Sequence, residues 1–164
     1  MDEQSVNVVL RLTFPFGDVG RQAGAILTVR DRDGVFAADG RAAADEARLT
    51  WTYADDAAND RQPRDHEVGR AVARQFAARA RQEAVRLNRV GDYPAAQGAL
   101  KSVARRIRGY AGADPELRGL VAELERDLPE FAAAMPEMSR KQHHFASANL
   151  ARTRDVHGRS VRAR

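Results

Sequence analysis

Between Asp65 and Phe131, apolar residues recur at steps of three and four in three consecutive runs. The first run is Val68, Val72, Phe76, Ala80, Ala84 and Leu87. The second is Tyr93, Ala96, Leu100, Val103, Ile107 and Tyr110, and the third is Leu117, Leu120, Val121, Leu124, Leu128 and Phe131. Such spacing places each run on one face of a helix. Asp65 is a candidate N-cap for the first helix, which the alanine-rich stretch carries to about Arg89. Gly91 suits the left-handed position after a helix end, and Asp92 with Pro94 suits the next start. Asp114-Pro115-Glu116 repeats that start, and Pro129 ends or kinks the third helix because it has no amide hydrogen to donate. Connections this short predict antiparallel neighbours.

Upstream the period changes from 3.6 to two. Val6, Val8, Leu10, Leu12 and Phe14 share one parity, which predicts a half-buried strand over 5–14. Pro15 and Gly17-Asp18 stop it. A second strand is predicted over Gly24–Arg30, a turn at Asp31-Arg32-Asp33-Gly34, and a loop over 35–44. The third strand is Ala47–Tyr53, where Leu49, Trp51 and Tyr53 alternate with Arg48, Thr50 and Thr52. Residues 55–64 read as a polar linker. After Phe131 the pattern weakens: Met135-Pro136-Glu137-Met138 is a break, Ser139–Leu150 is a weaker helix, and 158–164 carries no ordered pattern.

Composition alters this picture in two ways. The 43% apolar share is rich in alanine, so a modest core is expected. Cysteine is absent, which removes disulfides, cysteine-ligated zinc and a thiol nucleophile. No run approaches the ~18 apolar residues of a membrane span. The opening Met-Asp-Glu-Gln-Ser has neither the basic leader nor the apolar stretch of a signal peptide, so a cytoplasmic location is expected.

The net charge of +4 is unevenly spread. Residues 1–64 carry eight basic and 11 acidic groups, whereas 136–164 carry seven basic and two acidic. The tail cations are Arg140, Lys141, Arg152, Arg154, Arg159, Arg162 and Arg164. Phe145 is the tail's only aromatic residue, so base stacking has little support there. A solvated arginine-rich surface is the simpler reading.

No constellation of catalytic type emerges. His143 and His144 are adjacent, and neighbouring side chains on a helix diverge by ~100°, which suits a surface pair better than a metal site. Asp31-Arg32-Asp33-Gly34 opens like a calcium loop, but Val35, Phe36 and Ala37 occupy the following positions. Asp55-Asp56 has no histidine beside it and reads as an exposed loop. Gly-x-Ser-x-Gly and phosphate-binding glycine loops do not occur. No metal ligand, cofactor site or catalytic residue is therefore assigned. Gly91-Asp92-Tyr93-Pro94-Ala95-Ala96 is the sharpest local feature, a turn that lets two helices approach closely in a hairpin.

The order of these elements resembles a known arrangement. Strands are followed by Pro63-Arg64-Asp65-His66-Glu67-Val68. A helix then leads to Leu87-Asn88-Arg89-Val90-Gly91-Asp92-Tyr93-Pro94-Ala95-Ala96, and the tail carries Arg140-Lys141-Gln142, Phe145 and Ser147. Together with Phe16-Gly17-Asp18-Val19, this resembles the C-terminal region of bacterial von Willebrand factor type A domain proteins. The resemblance covers most of the chain and implies a β-sandwich part with a helical extension that supports or presents the A domain. The cation-binding Asp-x-Ser-x-Ser motif of that domain does not occur in this chain, so no metal ligand is carried over.

The sequence thus predicts an α+β chain in three parts. An antiparallel β-unit spans 4–62, of the kind an incomplete sandwich would leave. A three-helix antiparallel bundle spans 65–134, and a basic tail, partly helical or disordered, spans 135–164. The expected function is a non-catalytic structural and protein-interaction module accompanying a von Willebrand A domain, in cis or in trans. Another protein, or a second copy of the chain, is an alternative partner; no membrane contact is expected. The candidate interaction residues are Arg105, Arg106, Arg140, Lys141, Phe145, Arg152 and Arg154. A nucleic-acid-binding module using Arg105, Arg106, Arg108 and the tail is the competing and weaker reading.

Overall fold

The computed structural model describes residues 8–34 and 44–152. The chain is α+β: a two-stranded antiparallel sheet precedes a helical bundle. The strands are β1 (Gln22–Arg30) and β2 (Ala44–Thr52). The helices are α1 (Asp56–Arg61), α2 (His66–Arg89), α3 (Tyr93–Ala111), α4 (Pro115–Asp127) and α5 (Glu137–Ala151), with a 3-10 turn at Leu128–Ala132. Residues 12–63 and 64–152 form two separate compact units.

The predicted second and third strands are the two that form, and they pair with each other from Gln22↔Thr52 to Arg30↔Ala44. The strand expected over 5–14 does not form at residues 8–14; residues 5–7, and 35–43 of the loop predicted over 35–44, lie outside the described residues, and Ala44 already belongs to β2. Alternation is necessary for a strand but not sufficient, because each strand also needs a pairing edge. Phe14 instead lays its ring against Trp51, centroids 4.5 Å apart. The Tyr53 hydroxyl donates to the Pro15 carbonyl at 2.7 Å. That crossing segment is tied by side chains, and the described residues hold one ribbon rather than two sheets.

In the helical unit α2 is central, packing against α3, α4 and α5. Its buried face is mostly alanine: Ala73, Ala77, Ala78, Ala80 and Ala84. These small side chains let neighbouring backbones come close. The bulk of the core comes from Leu100 and Ile107 of α3, from Leu117, Leu120, Val121 and Leu124 of α4, and from Phe131 and Met135. The second and third predicted stripes are thus the buried ones. The first holds at Ala80, Ala84 and Leu87 but is displaced in its first half: Val68 is exposed and Val72 and Phe76 are half-buried, while Ala73 and Ala77 face inward. Residues 137–151, grouped with the tail on sequence, form α5 and pack on α2. The three-helix bundle thereby gains a fourth helix.

Caps set the boundaries. The Asp65, Asp92 and Asp114 carboxylates accept from the amides of Val68, Ala95, and Glu116 with Leu117. Asp55 does the same for Ala58, so the acidic pair read as loop starts the short helix α1 instead. After α2 the Asp92 amide reaches the Leu87 carbonyl and the Gly91 amide reaches Asn88, with Gly91 at φ 84°. That is the paired closure for which a left-handed glycine is suited. Buried Asn88 then clasps the other end of the core, donating to the Ala133 carbonyl at 2.7 Å and accepting from the Met135 amide at 3.1 Å.

Asp114 carries a pH prediction. Burial pushes its carboxyl up, but the Leu117 and Glu116 amides and the Arg70 guanidinium at 2.8 Å outweigh this and hold it below its ordinary value. A depressed folded value favours the folded state above the ordinary carboxylate range. The contribution is lost as pH falls through the lowered folded value. Asp114→Asn should therefore flatten the acid limb of the stability curve. Urea midpoints measured from neutral to acid pH should converge with wild type at the acid end.

Candidate interaction surface

The ribbon register sorts its side chains by chemistry. One face carries Ala23, Ala25, Leu27 and Val29 of β1 opposite Trp51, Leu49, Ala47 and Asp45 of β2. The other carries Gln22, Gly24, Ile26 and Thr28 opposite Thr52, Thr50, Arg48 and Glu46. Seven of the eight positions on the first face are apolar. Phe14 lies against Trp51 on this face, yet Trp51, Leu49 and Val29 keep 37%, 38% and 67% of their surface exposed. Ala23, Ala25 and Leu27 are half-buried. An apolar sheet face with this much open area is a candidate contact surface.

Local chemistry fixes one end of the ribbon. A β-carbon at Gly17 would stand 2.7 Å from the Tyr53 ring, so the glycine of Phe16-Gly17-Asp18-Val19 makes room for that ring. Gly20, at φ 89°, then turns the chain, its amide donating to the Tyr53 carbonyl while the Tyr53 amide donates to Arg21. The short motif and the Gly20 turn after it thereby position β1 against β2.

The candidate interaction residues do not gather in one place. Arg105 and Arg106 lie on α3, both exposed; Arg106 covers the Phe76 ring at 5.2 Å. Neighbouring Arg108 pairs with Glu125. Arg140 is half-buried and pairs with Glu137 at 3.0 Å. Lys141, Phe145 and Arg152 share an exposed stripe of α5 with Met138. Arg154 lies outside the described residues. The basic stripe proposed for nucleic acid is thus partly spent on a ring and a carboxylate.

His143 and His144 part company. His143 packs on Phe131 and its Nε2 lies 2.9 Å from Glu130, while His144 is exposed. Among the described residues no three histidine or acidic side chains gather as a metal site, and no helix is long and apolar enough to cross a membrane. The residues that sequence reasoning passed over are Arg64 and Arg79. Arg64 lies over the Tyr110 ring at 5.2 Å, a contact between positions 46 apart that no periodicity signals. No protein-family model, curated protein or solved structure matches this chain.

Proposed function

We propose that this chain is a non-catalytic interaction module that accompanies a von Willebrand A domain, in cis or in trans, and engages it through the apolar face of the β-ribbon. The observation that carries this is the register, which lines Ala23, Ala25, Leu27 and Val29 up with Trp51, Leu49 and Ala47 on one open face. A two-stranded ribbon is marginal by itself, and a cover on this face supplies the burial it lacks. The A domain as partner rests on the resemblance in element order. A second copy of the chain is the other polypeptide able to cover the face.

The test is light scattering of the full chain, alone and mixed with a bacterial von Willebrand A domain. A complex, or a dimer of the chain, should form at micromolar concentration. Leu49→Asp and Val29→Asp should weaken it by about tenfold or more, since burying one such side chain contributes ~1.5–3 kcal/mol. Ile26→Asp, on the opposite face, should leave it intact. A chain that stays monomeric and ignores the A domain rejects the proposal.

A further inference from the structure

The arginines of α2 fall into two groups. Arg70, Arg74 and Arg81 face α4, and each meets a carboxylate: Asp114 at 2.8 Å, Glu116 at 2.5 Å and Asp127 at 2.8 Å. Arg79, on another side of the same helix, meets none among the described residues. Among the described residues Arg64 and Arg106 likewise show no carboxylate partner, and their guanidinium carbons sit 5.2 Å from the centroids of the Tyr110 and Phe76 rings. The bundle neutralises one set of cations and leaves the other uncompensated along its α2–α3 side.

A guanidinium over a ring is held in place without spending its charge on a carboxylate. It carries five N–H donors, more than one ring contact can engage, so donors stay available to a carboxylate. The cations here border apolar surface. Val68, 57% exposed, and Val72 and Phe76 follow one another at four-residue steps on α2, and half-buried Val103 lies one turn from Arg106 on α3. Beside them the Tyr110 hydroxyl is buried with no hydrogen-bond partner.

We infer that this α2–α3 face, with Val68, Val72 and Phe76 beside Arg64, Arg79 and Arg106, docks an acidic amphipathic segment of a partner protein. Carboxylates of that segment meet the three uncompensated guanidiniums, and its apolar side chains cover the valines. Nucleic acid fits less well, because both aromatic rings are half-buried and each already has a guanidinium over it, which leaves little ring surface for a base. The inference deepens the reading of the chain as an interaction module but places this contact on a surface other than the ribbon.

The full chain should be used as bait for a random-peptide display library. The counter-bait is the variant carrying Arg64→Glu, Arg79→Glu and Arg106→Glu. Recovered peptides should be enriched in Asp and Glu interspersed with Leu and Phe. A synthetic copy of the dominant peptide should bind wild type in a salt-sensitive way and bind the triple variant about tenfold or more weakly. Val68→Ser, a change at an exposed position that leaves the charges in place, should also weaken it, and Leu49→Asp should not. Circular dichroism confirms that each variant is folded. Recovery without acidic bias, no recovery, or equal binding to the triple variant overturns the inference. So does a single-stranded RNA or duplex DNA oligonucleotide that binds more tightly than the peptide and is lost in the same variant. If the peptide contact fails while ribbon association persists, only this inference falls; loss of ribbon association alone leaves it standing.

Discussion

Leu100→Ala, Leu124→Ala and Phe131→Ala should each destabilise the helical unit by about 2–5 kcal/mol, with Phe131→Ala at the upper end. All three side chains are fully buried, one on α3, one on α4 and one in the 3-10 turn. The cost has two parts, the lost transfer of apolar surface and the cavity left behind. The cavity part should be large here, because the opposing face of α2 is alanine and its backbone has little side-chain bulk with which to fill a gap. Arg106→Ala gives the contrast. It removes a guanidinium stacked on Phe76, worth about 0.5–1 kcal/mol at an exposed site. Chemical denaturation of the four variants checks the ranking. Equal losses would mean that the bundle is not held by this core.

Arg81→Met should be the most damaging change at a charged position. The guanidinium is buried on α2, with Nε 2.8 Å from Asp127 and Nη2 3.3 Å from Glu123. Removing it leaves the Asp127 carboxylate, itself 19% exposed, without its cation. Breaking a fully buried pair costs ~3–5 kcal/mol, and the residual access of water to Asp127 places this site near the lower limit. The double variant Arg81→Met with Asp127→Leu should recover much of the loss, since a well-packed apolar pair replaces a buried ion pair at little cost. Denaturant midpoints for the two singles and the double form a cycle. A double variant no better than Arg81→Met would show that the arginine stem, not the charge pair, holds α2 to α4.

The helical boundaries were legible because their causes are local. Asp65, Asp92 and Asp114 cap the amides just beyond them, and Gly91 closes α2, all within a few residues of chain. The stripes of α3 and α4 were legible for a similar reason, since Leu, Ile and Val outweigh alanine on one side of each helix. The first half of the α2 stripe was misplaced because its apolar residues surround most of the helix, whereas Ala80, Ala84 and Leu87 face the core as read. There Val68 and Phe76 are larger than Ala73 and Ala77, yet the alanines are buried. Close approach of α3, α4 and α5 favours the small side chains, a criterion that no window along the chain contains. The weaker helix predicted over Ser139–Leu150 forms as α5, but its packing on α2 was not legible, because its inward face includes buried Ser147, half-buried His143 and Leu150.

The interaction surfaces divide in the same way. The alternation of Leu49, Trp51 and Tyr53 marked β2 as two-faced before any partner was known, because side-chain direction in a strand has period two. Which of three candidate strands would pair, and that Phe14 would lie across Trp51 instead of extending a sheet, required the register. The arginines were visible as charge, but their standing was not. Arg108 is neutralised by Glu125 and Arg81 by Asp127, whereas Arg64 and Arg106 are laid on rings 46 and 30 positions away. The sequence by itself determined where the chain turns, caps and alternates, because those signals act over a few bonds. Only the tertiary structure decided which apolar face stays open and which cations stay uncompensated, because both depend on what the rest of the chain brings alongside.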